Sequence, residues 1–167
     1  NVSVGQGMIV KAAGELAAAG LEGAELTAAV RREIATIRTF ALVTDLSNAV
    51  RSGRLKPAIK HIADWLRLTP VLVNTSTGKI GVHGFIPGRY RLIERFAERI
   101  ARATGTTGVW ELAIASSAPE DADTQLLRTE LSTRYNSIDN LWQTEIGPAL
   151  GVHVGMSALV VALRRRR

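Results

Sequence analysis

Three histidines, a set of arginines placed after glycines or at a helix start, and no cysteine are what this chain offers for chemistry. His153 lies between Gly151 and Gly155, in a run from Glu145 to Leu163. That run predicts a turn, one short helical turn, a Gly-His-Gly loop and then a strand apolar at every position from Ala158 to Leu163. A histidine delivered by glycines to the edge of a buried sheet suits contact with a ligand's polar end. From spacing alone, the commoner role is a loop histidine satisfied by nearby carbonyls. Arg54 follows Gly53 directly, and Arg89, Arg91 and Arg95 crowd the start of a helical pattern. Cations at a helix start oppose the macrodipole, so this cluster calls for a partner, an acidic ligand or a solvated face. His61 falls on the polar side of a helix. His83 is expected to share a strand face with Gly81 and Phe85 as a packed or edge residue.

Other motifs fail on inspection. Gly5-Gln6-Gly7 has Val10 where a third glycine would complete a dinucleotide fingerprint, and no strand precedes it. Thr77-Gly78-Lys79 superficially resembles a phosphate loop, but Ile80 and a strand follow the lysine. With no cysteine, no serine in a nucleophile context and no histidine pair at metal-ligand spacing, hydrolase or transferase chemistry has little support, and the chain reads as a non-enzyme without a metal.

The elements that must position these residues follow from periodicity. Met8, Ala12, Leu16 and Ala19 mark a first helix, from about residue 3 to Gly20, with an alanine-rich packing side. Leu26, Val30, Ile34 and Ile37 mark a second. Thr39–Leu46 reads as a strand, and Asp45 or Ser47 caps a short helix ending at Ser52-Gly53. Pro57 then opens a helix with Ile59, Ile62, Ala63 and Leu66 as its stripe. Thr69–Asn74 and Lys79–Ile86 form a hairpin about the turn at residues 75–78. A helix over Arg89–Ala103, a strand over Trp110–Ala115, a helix opened by a Ser117–Glu120 capping box, and strands over Ser137–Glu145 and Ala158–Leu163 complete the series. This predicts an α/β (α+β) fold: one two-layer domain over residues 1–167, with a mixed six-stranded sheet and helices mainly on one face.

The chain's 167 residues suit a single domain, and 46% hydrophobic with 22% charged residues is ordinary globular composition. Arg164–Arg167 supply four of the six net positive charges and read as a solvated basic tail. With aromatics at 5%, the pattern does not suggest a nucleic-acid binder. No apolar run reaches the length of a membrane span, no signal peptide is visible, and a cytoplasmic location is the default expectation. A start without methionine, immediately before a helical pattern, predicts a piece of a longer chain, with residues 1–20 leading from an N-terminal domain.

Four segments, in order, resemble the C-terminal domain of the DegV family of bacterial fatty-acid-binding proteins. They are Ser3-Val4-Gly5-Gln6-Gly7-Met8; Val50 through Leu55; Leu66 through Leu72 with Gly78-Lys79-Ile80 and Arg89-Tyr90-Arg91; and Gly147 through Gly155. The resemblance implies the EDD fold and a carrier: a long-chain fatty acid, with no other cofactor, lies between this domain and a Rossmann-like N-terminal domain. A separate kinase subunit then phosphorylates its carboxylate. By the same resemblance, His153 and Arg54 match ligand-binding positions, and Arg89 matches a contact for the kinase subunit. Ser52 departs from the family's paired glycine, and Met156-Ser157 replace a proline and glycine after Gly155. The alternative is a regulatory or interaction domain, fused or bound to a dihydroxyacetone-kinase-like module, without lipid carriage.

Overall fold

The computed structural model describes residues 3–75 and 78–166. Along them run α1 Val4–Ala18, α2 Gly23–Thr36, β1 Arg38–Val43, α3 Ser47–Arg51, α4 Pro57–Trp65, β2 Leu68–Asn74, β3 Ile80–Pro87, α5 Leu92–Thr104, β4 Val109–Ser116, α6 Ala122–Arg134, β5 Ser137–Glu145, α7 Pro148–Val154 and β6 Ala158–Arg165. The expected mixed six-stranded sheet forms, in the order β3-β2-β1-β6-β4-β5. The β4–β5 pair is parallel and is crossed by α6; the other pairs are antiparallel. β6, last in sequence, enters the middle of the sheet, and every residue from Ala158 to Leu163 is buried, as its unbroken apolar run predicts.

Alternation sorts the central strands onto two faces. Phe40, Leu42, Leu112, Ile114, Val161 and Leu163 form a large-residue core with Phe96 and Ile100 of α5 and Leu127 and Leu131 of α6. The other face carries small residues, Ala41, Ala113, Ala115, Ala158 and Ala162, which cluster with Val4 and Met8 of α1. Alanine against an alanine- and glycine-rich helix lets the backbones approach closely. At Gly7 a Cβ would lie 2.9 Å from the Trp142 ring. Helices cover both faces of the sheet: α5 and α6 lie on the large-residue side, while α1, α4 and α7 cluster on the alanine side and α2 packs on α1.

Four expectations are corrected. The Arg164–Arg167 run is not a solvated tail. Arg164 and Arg165 continue β6, and Arg164 is buried against Glu111 (2.6 Å), Glu15 (2.6 Å) and Glu33 (3.6 Å). Lys11 joins Glu111 at 2.7 Å, and Arg166 reaches Asp139 at 3.2 Å; Arg167 lies outside the described residues. A strand pairing with β1 on one side and β4 on the other draws its cations inward, where fully buried Glu111 requires them. The cap of α6 is Asp121, which accepts from the Thr124 N–H at 2.7 Å. Ser117 instead bonds across to Ala158, its Oγ accepting from that N–H at 3.0 Å. The stripe on α2 is displaced: Ala29 is its buried residue and Ile34 is exposed. His83 does not share a face with Phe85, because the β2–β3 register shifts between Val71 and Leu72. The turn expected at residues 75–78 falls partly on Ser76 and Thr77, outside the described residues; Thr75 N–H meets the Lys79 carbonyl at 2.8 Å.

Candidate functional site

A mostly apolar cavity of about 590 Å³ opens where the alanine face of the sheet runs out toward its β3 edge. Pro70 and Leu72 of β2 and Val82 and Phe85 of β3 form its floor, and Leu55, Ile59 and Ala63 form the side built by the segment through α4. Leu150, His153 and Val154 of α7 close another wall, and Ser3 and Gln6 at the start of α1 supply polar atoms at its border. Its volume lies within the range of small-molecule sites, as does its character: apolar walls with few polar groups.

His153 reaches this cavity by a route the sequence pattern hid. Instead of sitting in a glycine loop, it occupies the last turn of α7. Pro148 at the first helical position and Gly155 just past the end are ordinary start and stop signals, legible in the sequence once read together. Gly155 adopts φ +73, and its N–H donates to the Gly151 carbonyl at 2.8 Å. A Cβ there would lie 2.5 Å from Asn48 Nδ2, so the α3–α7 contact also requires glycine. The Nδ1 of His153 is shielded from solvent and has no hydrogen-bond partner among the described residues. Leaving such an atom unpaired costs about 1–3 kcal/mol, so the position favours any ligand that bonds it.

Arg54 lines the same cavity. Gly53 (φ +71) turns the chain out of α3, and one Arg54 guanidinium N–H donates to the Ser52 carbonyl at 2.9 Å. The guanidinium has five donors, so others remain available to an anion. The structure thus brings His153 and Arg54 together. It keeps Arg89 apart, exposed in a neighbouring cleft of about 420 Å³ with Asp64, Arg67 and Gly88, and without an ion pair among the described residues. Among the described residues the two hollows share only the wall residue Ala63.

Sequence reasoning did not assign Ser3 and Gln6 to the site. Ser3 stands at φ +52 before α1, and its side chain caps nothing. The remaining helix-start arginines find local partners: Arg95 donates to the Pro87 carbonyl at 2.6 Å, and Arg91 pairs with Glu94 at 3.2 Å. Among the described residues no cluster of three or more His, Cys, Asp or Glu could hold a metal, and no helix is long and apolar enough to cross a membrane.

A family model described as "Uncharacterised protein, DegV family" matches residues 1–166. A DegV domain-containing protein of Streptococcus pyogenes is 27% identical over 157 residues, covering 94% of this chain and 53% of that protein. One of Mycobacterium tuberculosis is 27% identical over 167 residues, covering 98% and 57%. The chain therefore spans little more than half the length of the curated relatives it matches. Among solved structures, a fatty acid binding DegV family protein from Streptococcus agalactiae superposes with TM-score 0.80 at 25% identity, covering 97% of this chain and 56% of that one. A DegV family protein from Thermus thermophilus gives TM-score 0.81 at 21% identity, covering 98% and 58%, and shares the fold.

Proposed function

The chain belongs to the DegV family, and on that premise we propose that it is one half of a fatty-acid carrier, holding an acyl chain in the apolar cavity and its carboxylate at His153 and Arg54. The observation that carries this reading is the unpaired, solvent-shielded Nδ1 of His153 in the same cavity as a guanidinium with free donors. A fatty acid answers both demands. Each buried methylene contributes about 0.8 kcal/mol. The carboxylate accepts from the imidazole N–H and the guanidinium, and such charge-assisted bonds are roughly twice as strong as neutral ones. The likeness to a protein described as fatty acid binding supports the same ligand class. The cavity's open side is completed by an N-terminal domain of the full protein, and a long-chain fatty acid is the only bound group required.

The carrier performs no bond chemistry itself. A kinase subunit phosphorylates the bound carboxylate, and Arg89, exposed in the neighbouring cleft and without an ion pair among the described residues, meets that partner. The test is solvent extraction and mass spectrometry of lipid from the purified full protein, expressed in cells supplied with fatty acid. Wild type retains fatty acid, while His153→Ala and Arg54→Gln each lower retention by about tenfold, the loss of one charge-assisted bond. Arg89→Ala keeps the lipid and weakens association with the kinase subunit. A lipid-free wild-type protein overturns the reading and favours a regulatory or interaction domain instead.

A further inference from the structure

Behind the edge hairpin, facing away from the acyl cavity, a second cleft of about 450 Å³ lies between β3 and α5. Arg95, Arg99 and Arg102 line it from α5, and His83 lines it from β3. Spacings of four and three place the arginines in one row, about 10 Å from first to last. The strand is shaped to meet that row. The register shift between Val71 and Leu72 turns His83 away from Val82 and Phe85, which point into the acyl cavity. Its ring sits edge-on to Phe40, 5.6 Å between centroids. Gly84, at φ +150, leaves its own side-chain space to the Arg99 guanidinium, and any Cβ there would collide with Nη1.

Positive charge in this cleft is not balanced. Among the described residues Arg95 and Arg99 bond only backbone carbonyls, of Pro87 and Tyr90 and of Phe85 respectively. Glu98 is the one carboxylate on the wall, and Arg102 occupies it at 2.6 Å. Arg38, from β1, adds a further guanidinium 5.8 Å from the centre of the Phe40 ring. Burial, then Arg99 and Arg38, hold the His83 imidazole below its ordinary pKa. The carbonyl bonds also steady the edge strand, and Gly84 makes room for the one from Arg99, but that role does not call for His83 on the same wall.

We propose that this cleft binds a small molecule bearing two or more phosphoryl groups, gripped by Arg95 and Arg99 with His83 as a third donor. Phosphoryl oxygens accept bidentately from guanidinium forks, and a row of forks suits linked phosphates better than a lone carboxylate. Only Ile86 and Ala103 are apolar on the wall, too little to hold an acyl chain. The site does not depend on the fatty-acid reading, and each can fail alone.

The experiment is an NMR titration of histidine ring signals in the full protein, with the His83 signal identified by its loss in His83→Gln. Sodium pyrophosphate is the probe, added at constant ionic strength. A nearby anion favours the imidazolium, so the His83 pKa rises saturably, by about one unit. Arg99→Gln weakens the apparent affinity at least about tenfold, two bidentate contacts being reduced to one. Should that variant misfold, Arg102→Gln serves instead: it releases the Glu98 carboxylate beside the row, and that negative charge lowers the apparent affinity by a smaller factor. An unmoved His83, or an equal shift with sulfate, overturns the proposal. A shift with poly-glutamate but none with pyrophosphate also overturns it, in favour of an acidic protein surface.

Discussion

At the residue scale, the side chains that hold this molecule together and those that equip it for a ligand can be told apart by their partners. Glu111 is fully buried yet ion-paired with Lys11 and hydrogen-bonded by Arg164, and it fixes α1 to the centre of the sheet. Removing one member of such a set strands the others, so Glu111→Ala lowers stability by about 3–5 kcal/mol in urea unfolding. The double change Glu111→Leu with Arg164→Met recovers much of that loss. Glu15 reports on the same set. Burial opposes its charge, but hydrogen bonds from Lys11 and Arg164 outweigh it and bring the carboxyl down to about 2 from 4.5. A depressed carboxyl contributes stability above its unfolded pKa and loses it as pH falls. The difference in urea midpoint between wild type and Glu15→Gln therefore shrinks steadily as pH falls from 4.5 toward 2. A difference that stays constant over that window shows that Glu15 does not titrate as described. His153 is the contrasting case, since its buried Nδ1 has no such partner among the described residues and is available to a ligand.

At the scale of elements, α1 shows how composition sets a packing distance. Gly7 faces the Trp142 ring, whereas a Cβ on Gly14 meets nothing within 4 Å. Gly14→Ala therefore stabilises by roughly 0.5–1 kcal/mol through helix propensity alone. Gly7→Ala must push the indole aside and forgoes that gain, a contrast that paired thermal melts measure directly. Equal stabilisation by both would mean that α1 does not pack as closely as described. The α7 helix makes the opposite point about small residues. Its terminal Gly155 is required by positive φ and by Asn48, so Gly155→Ala costs about 1–3 kcal/mol and misplaces His153 as well.

At the scale of the whole molecule, the apolar stripe of α4 lies largely uncovered. Ile59, Ile62 and Leu66 were expected to pack inward, but only Ala63 is buried, and Trp65 beside them is 83% exposed. Val152 and Met156 are likewise exposed at the end of α7. Contiguous apolar surface of this kind drives association. On the carrier reading proposed above, the 167-residue chain alone self-associates in sedimentation equilibrium, whereas a full protein whose further domain covers the cavity does not. A monomeric 167-residue chain counts against that covering role.

The sequence by itself determined what rests on local periodicity: six strands, the hairpin, the buried central β6 and the alanine side of α1. It also singled out His153 and Arg54, through glycine placement and the resemblance of their segments. Tertiary structure decided what periodicity cannot encode, which is the partner that each face meets. Arg164 looked like part of a solvated tail because nothing local announces Glu111, 53 positions away. His83 changed faces because a single-residue bulge in β3, opposite Val71 and Leu72, inverts side-chain alternation; Gly84 inside the strand pattern is the local sign of it, and periodicity alone passes over it. Arg54 and Arg89 both follow glycines, and only the packing of α4 between their segments places one inside the cavity and the other beyond its wall.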